Sequence, residues 1–247
     1  MQPTATAAAQ HRDPMRRNHL LAALPSAQLE RWWAQFELVD LHCGEVLCES
    51  GSIPISVIFP LTAIVSLLYL TQDGATTEVG VIGNDGMVGI GVILGGQAVP
   101  SRAIVQSAGQ GLRLSAQVLR DTFQQTSPVL GLLLRYTQSL IVQMVQTAAC
   151  NRHHSIGQQL CRRLLMSLDR SPSSAVHMTH EAIANLLGVR REGITEAALR
   201  LQQAGVIRYN RGRIEVLDRA HLEQRSCECY AVARKEYRRL MPPPLAA

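Results

Sequence analysis

Five polar side chains, Arg190, Arg191, Glu192, Thr195 and Glu196, fall on one side of a helical repeat whose other side is Ile194, Ala197, Ala198 and Leu201. Arginine can bridge O6 and N7 of guanine, and glutamate can accept from N4 of cytosine. A helix that buries one face and offers such groups from its first turns has the chemistry to read base edges in a major groove. Upstream, Thr179 precedes a short helix with Ile183, Leu186 and Leu187 on one face, Glu181 in its first turn and Gly188 at its end. Ala184 and Ala198 are small where the two helices would cross. Downstream, Gly205 stops the second helix, and two alternating runs flank Asn210-Arg211-Gly212. Two helices around a glycine turn, followed by a β-hairpin with arginines at its tip, make a winged helix-turn-helix pattern. Thr179, His180, Arg211 and Arg213 are placed to meet phosphates.

These groups need a scaffold, and the remaining sequence supplies one. The chain has 247 residues, 47% of them hydrophobic and 17% charged, enough for one large or two modest domains. Residues 1–125 carry 7 Arg and 10 Asp or Glu, whereas residues 126–247 carry 17 Arg or Lys and 9 Asp or Glu. An acidic front half and a basic back half imply two tasks, the second facing an anion. Nearly all of the basic charge is arginine, since Lys235 is the sole lysine.

Residues 1–17 read as a loose tail, and 18–36 as two short helices, with Ser26 capping the second. From 37 to 114, short Val- and Ile-rich runs alternate with turn signals such as Gln72-Asp73-Gly74 and Gly83-Asn84-Asp85-Gly86, which predicts an antiparallel sandwich or barrel. Ser115 opens a helix to about Gln125, and Ser127-Pro128 opens a longer one. In that long helix Leu130, Leu134, Thr137, Ile141, Met144 and Ala148 are spaced 4, 3, 4, 3, 4, a heptad seam that would be buried either on the chain's own domain or, as we favour, against a second copy of the chain. A further amphipathic helix covers 153–169.

Ile183-Ala184-Asn185-Leu186-Leu187-Gly188, then Val189-Arg190-Arg191-Glu192 and Leu201-Gln202-Gln203-Ala204-Gly205-Val206-Ile207, closely resemble the winged helix of the Crp/Fnr family of bacterial transcription regulators. The resemblance covers nearly the whole chain. It implies an α+β protein with an N-terminal antiparallel, jelly-roll-like β-roll sensor domain at 18–126 and a dimerisation helix at 127–151. It further implies a winged helix-turn-helix domain at 152–225 and a C-terminal extension at 226–247. The implied partners are palindromic double-stranded DNA, a second copy of the chain and RNA polymerase, in the cytoplasm and with no membrane. Arg191 and Glu192 match the family's base-reading Arg-Glu pair, while Glu196 stands where the best-known members have a second base-reading arginine, so the preferred half-site is expected to differ.

In cyclic-nucleotide-binding relatives a Gly-Glu pair starts the phosphate cassette, and Arg followed by Ser or Thr and then Ala ends it. Here the corresponding stretch runs from Gly89-Ile90 to Ser101-Arg102-Ala103. Ile90 cannot accept a ribose hydroxyl, and Arg102 falls one residue late, which in a strand turns it to the opposite face. The effector domain is therefore expected not to bind cAMP, and no cofactor is assigned. Constitutive DNA binding, or a response to thiol redox or metal, is the alternative. The cysteines are Cys43, Cys48, Cys150, Cys161, Cys227 and Cys229. The N-terminal group that would hold an iron–sulfur cluster is absent. Cys227 and Cys229 are the weak metal candidates, because two ligands do not complete a site; His221, and Cys150 with His153 and His154, lie near in sequence or form a second sparse group. Haem ligation by His19 or His42 has no support beyond residue type. With no P-loop, GxSxG or HExxH motif and no length left for a catalytic domain, an enzyme is not expected. The longest apolar runs fall short of a bilayer span.

Overall fold

The structure, a computed structural model, describes residues 14–95, 98–124, 128–171 and 173–241. Most of the expected tail and the cap residue Ser127 lie outside these. From Pro14 the chain is packed, and Met15 is buried, so the tail ends earlier than position 17. Two short helices follow, α1 (His19–Ala22) and α2 (Ser26–Trp33). The cap of α2 is Pro25, whose fixed φ of −57° presets the first turn, and Ser26 is its first residue rather than its cap. Asn18 anchors α1: its buried amide donates to Pro60 O (2.9 Å) and Gly86 O (2.8 Å), and its Oδ1 accepts from the amides of Leu20 and Leu21.

Among the described residues, seven strands form the front domain: β1 (Glu37–Leu41), β2 (Val46–Cys48), β3 (Ser56–Pro60), β4 (Ile64–Leu70), β5 (Thr76–Ile82), β6 (Arg102–Ser107) and β7 (Gly109–Ser115). They make two antiparallel sheets, ordered β1-β7-β3 and β2-β6-β4-β5. Alternation places Leu41, Val65, Leu67, Ala103 and Val105 in one core between the sheets. On the other side of β3 and β7, Val57, Phe59, Leu112 and Leu114 pack on α1, α2 and α3 (Ala116–Gln124).

The long helix α4 (Pro128–His153) grips this roll with two side chains that imitate backbone. The Gln143 amide accepts from Val81 N (2.6 Å) and donates to Val81 O (3.1 Å), extending the free edge of β5 by one rung. The Tyr136 hydroxyl accepts from Met87 N and donates to Met87 O, both at 3.0 Å. That phenol explains Gly86, where a Cβ would sit 2.3 Å from the Tyr136 oxygen. The opposite face of α4 exposes Leu134, Ile141 and Val145, at 47%, 55% and 58%. By length and composition α4 is apolar enough to cross a membrane. Its buried face, however, carries Ser139, Gln143 and Thr147 and is occupied by the chain's own roll.

After a break at His154, Ser155 caps α5 (Ile156–Leu168) through a reciprocal capping box with Gln158. Strands β8 (Ala175–His177), β9 (Ile207–Asn210) and β10 (Arg213–Val216) form a second sheet, ordered β8-β10-β9, beside helices α6 (His180–Leu187) and α7 (Arg191–Gln203). The core of this domain continues into the roll, since Ile64, Leu68 and Val81 share one cluster with Leu160, Leu164 and Ile183. Arg163 of α5, 1% exposed, crosses the junction to Glu78 of β5 (Nε to Oε1, 2.8 Å). Glu78 Oε2 also accepts from Ser66 Oγ at 2.5 Å, and Arg170 pairs with Asp85 at 2.7 Å. Helices α8 (Arg219–Arg225) and α9 (Glu228–Leu240) are the last elements among the described residues. The expected extension is thus a helix docked along α4, tied by Tyr237 Oη to Asp85 O (2.8 Å) and by Tyr230 Oη to Asp169 Oδ2 (2.8 Å).

Removing one partner of a buried ion pair strands the other charge, which costs ~3–5 kcal/mol. Arg163→Met is expected to lose stability on that scale in urea denaturation. Adding Glu78→Leu should recover most of it, and a loss under ~1 kcal/mol for the single change would show that the pair does not hold the junction.

Candidate nucleic-acid interface

Local chemistry builds the helix pair. Thr179 caps α6, its hydroxyl accepting from Ala182 N at 3.1 Å. Gly188 ends α6 at φ 65°, a left-handed conformation that a side chain resists, and the chain turns into α7. Arg190 is the N-cap of α7 by backbone alone, which leaves its guanidinium out of the cap. Ile194, Ala197, Ala198 and Leu201 are buried, and Arg190, Arg191, Glu192, Thr195 and Glu196 are all exposed together on the other face. Arg191 lies 3.8 Å from Glu181 and Glu196 lies 3.1 Å from Arg200. Exposed pairs of this kind are worth little, so the side chains can exchange them for a base or phosphate at small cost.

The hairpin between β9 and β10 turns on Arg211 (φ 45°) and Gly212 (φ 81°), two successive left-handed residues as in a type I′ turn. Arg211 and Arg213 are exposed at the tip. Arg208, an exposed arginine of the same hairpin 3.5 Å from Glu215, was not singled out from sequence, although strand alternation places it outward.

His180, expected from sequence to meet a phosphate, has contacts within the protein. Its ring stacks on Tyr209 with centroids 4.1 Å apart, and Nδ1 lies 3.1 Å from Thr195 Oγ1. The Thr195 hydroxyl donates to Arg191 O, so Nδ1 must carry the proton that bridges them, leaving Nε2 bare and buried. Burial, and then the Arg191 charge, hold the imidazole below its ordinary 6.5. The side chain joins the start of α6, α7 and the wing.

In the roll, Gly89 (φ 94°) starts a single 3-10 turn over Ile90–Ile93. Ala103 is buried among the inner side chains, while Arg102 turns away and pairs with Glu49 at 3.1 Å. Ser101 is half-buried at the strand entrance. These residues line no part of the large cavity of about 600 Å³, which opens instead between β5, α4 and α9, against Asp85, Tyr136, Gln143, Arg170, Tyr230 and Arg234. Of the expected seam, Leu134, Ile141 and Ala148 are exposed; Leu130 and Thr137 are half-buried, and the Thr137 hydroxyl donates to Leu133 O. Met144 departs from the expectation by packing partly into the roll's own core, and Val145 takes its place on the outer face. Cys227 and Cys229 meet Cys150 and His154 at the far end of α4, with ligand atoms within 4.8 Å of one another.

Two family models match the chain: a cyclic nucleotide-binding domain over residues 38–126 and a Crp-like helix-turn-helix domain over residues 158–225. Together they take in more than half of it. The chain belongs to the Crp/Fnr family of transcription regulators. Its architecture agrees with solved members. FixK2 from Bradyrhizobium japonicum aligns with a TM-score of 0.65 at 14% identity, over 78% of this chain and 98% of that one. A transcriptional regulator of the CRP family from Thermus thermophilus aligns at 0.62 with 19% identity, over 76% and 96%. The c-di-GMP responsive global regulator CLP from Xanthomonas campestris aligns at 0.61 with 15% identity, over 78% and 100%. At these identities the likeness is one of fold. No curated protein matches at the level of sequence. This Crp/Fnr regulator therefore combines an effector-type β-roll with a DNA-binding winged helix, and dimers on palindromic DNA are typical of its family.

Because the folded His180 has a depressed pKa, the unfolded chain takes up that proton first as pH falls. The contribution is whole above 6.5 and is lost as the pH falls through the depressed folded value. His180→Phe, which keeps a ring against Tyr209, should flatten this acid-side loss in denaturation series; identical slopes for both proteins would exclude the role.

Proposed function

We propose that this regulator binds palindromic duplex DNA as a homodimer and reads each half-site with Arg190, Arg191, Glu192, Thr195 and Glu196 of α7. The observation that carries the reading is the division of α7: its apolar face is buried, and its five candidate reading groups are exposed together. Thr179 and the N-terminus of α6, with Arg211 and Arg213 of the wing, contact flanking phosphates. His180 supports these contacts from behind rather than making one. Glu196 favours an acceptor contact, such as to cytosine N4, which shifts the half-site away from that of relatives with a second reading arginine.

The dimer forms through the outer face of α4. Leu134, Ile141 and Val145 are exposed at a spacing of 7 and 4, and Leu130 and Ala148 extend the stripe in both directions. A second copy related by a two-fold axis would cover it with the same residues, setting the two α7 helices to face successive major grooves. The regulator acts in the cytoplasm by binding rather than by catalysis, and communicates with RNA polymerase. Its roll does not take cAMP: Ile90 offers no acceptor to a ribose, and Arg102 is turned outward onto Glu49.

Duplexes selected from a random pool should yield a palindrome whose affinity falls steeply with salt. Arg191→Ala should weaken that site by ~1–3 kcal/mol and random duplex far less. Equal losses on both would remove Arg191 from base reading. Ile141→Glu should shift the sedimentation of the purified protein from dimer to monomer while its thermal unfolding changes little, since the side chain is exposed in the single chain. A dimer that survives the change would place the interface elsewhere.

A further inference from the structure

Where α4 ends, four side chains with soft-metal chemistry converge from two segments remote in sequence. Cys150 is in the last turn of α4, and His154 follows four residues later, its amide still bonded to Cys150 O at 3.1 Å. That spacing puts both on one face. Cys227 is the N-cap of α9 and Cys229 lies in its first turn. The three cysteines are buried, with residue exposures of 0%, 5% and 2%, and His154 is half-buried.

We infer that Cys150, His154, Cys227 and Cys229 form a mononuclear, tetrahedral Zn²⁺ site that fastens α9 to the α4–α5 junction. The spacing of the ligand atoms selects the occupant. Zn–S bonds of ~2.3 Å and Zn–N bonds of ~2.0–2.1 Å require tetrahedral edges of ~3.8 Å between sulfurs and ~3.6 Å from sulfur to nitrogen. The structure has Cys150 Sγ 3.5 Å from Cys227 Sγ and Cys229 Sγ 3.6 Å from His154 Nδ1. All four ligand atoms lie within 4.8 Å of one another, which fits one ion and leaves no room for an iron–sulfur cluster with sulfides between its metals.

Two surrounding groups fit an ion better than they fit free thiols. His154 Nε2 lies 3.3 Å from Glu228 Oε1, so Nε2 keeps its proton and Nδ1 presents its lone pair, the carboxylate–histidine arrangement that orients a metal ligand. Arg162, 4% exposed, bonds Thr147 one turn before Cys150 and leaves its Nε buried without a partner. Binding releases three thiol protons and leaves a metal–thiolate unit of net charge −1, which this guanidinium offsets.

The test is the metal content of the full-length protein, purified under reducing conditions, followed by removal with a chelator and reloading with Zn²⁺ or Co²⁺. The expected result is one Zn²⁺ per chain and, for Co²⁺, thiolate charge-transfer bands with the intense ligand-field absorption of a tetrahedral site. Metal removal should lower the thermal midpoint, and reloading should restore it. Cys229→Ser should abolish stoichiometric binding. Glu228→Gln, an exposed change that leaves the fold intact, should weaken Zn²⁺ affinity ~10–100-fold. Three results would overturn the inference: no uptake at equimolar Zn²⁺ by the reduced protein, iron with acid-labile sulfide in the purified protein, or undiminished binding by both Cys229→Ser and Glu228→Gln. None of these readouts involves DNA, so failure here is separate from failure of the operator reading.

Discussion

A guanidinium held inside a protein dictates what surrounds it. Arg163 is 1% exposed, and burial pulls its pKa down against the pull of Glu78, so the fold must bring that carboxylate to it or forfeit several kcal/mol. Glu78 belongs to the β-roll and Arg163 to the first helix of the DNA-binding domain. Their pairing therefore fixes how the two domains sit. Around it the apolar core is continuous, from Ile64 and Val81 of the roll to Leu160 and Ile183 beyond the junction. Ionic groups inside such a core do not add stability over apolar ones, but they penalise every arrangement that separates them. The result is one defined docking of the winged helix on the roll.

That constraint also explains what the sequence could and could not show. The strands, the long helix, the helix pair and the wing were legible because their signals are local: Gly74, Gly188, Gly205 and Gly212 all take positive φ where the chain turns. The division of α7 into an exposed polar face and a buried apolar face was legible for the same reason. Arg162 and Arg163 were not, because two adjacent arginines read as a solvated face of an amphipathic helix. In fact every residue from Gln159 to Ser167 is buried, since α5 is enclosed by both domains. The basic back half was overread accordingly, as Arg162, Arg163 and Arg170 spend their charge internally and are not offered to DNA. The cysteine–histidine cluster was half legible. CxC and the Cys150–His154 spacing are visible in the chain, yet only the docking of α9 along α4 brings sequence positions 77 apart into contact.

Helix α4 is where these constraints meet. Its inner face is bound to the roll by Tyr136 and Gln143, each of which takes both hydrogen bonds of a backbone residue. A rigid-body movement of the roll cannot leave those donors and acceptors buried and unpaired, so α4 must follow. Its outer face is an apolar stripe left exposed among the described residues, and its C-terminal end is held by α9. The roll, the second copy and the C-terminal helix thus act on the same 26 residues.

An effector could alter DNA binding in such a molecule only through a difference in its affinity for two arrangements of these contacts. The contacts identify which arrangements are accessible. The break at His154–Ser155 between α4 and α5 is the natural pivot, because no helical hydrogen bond crosses from Ser155 N, whose partner is the Gln158 side chain. Rotation there would carry α7 with α5, through their shared core, and would have to separate Arg163 from Glu78 and Arg170 from Asp85. Arg163 with Glu78 and Arg170 with Asp85 therefore make the pivot stiff, and a rotation that moves α7 must first separate these charges.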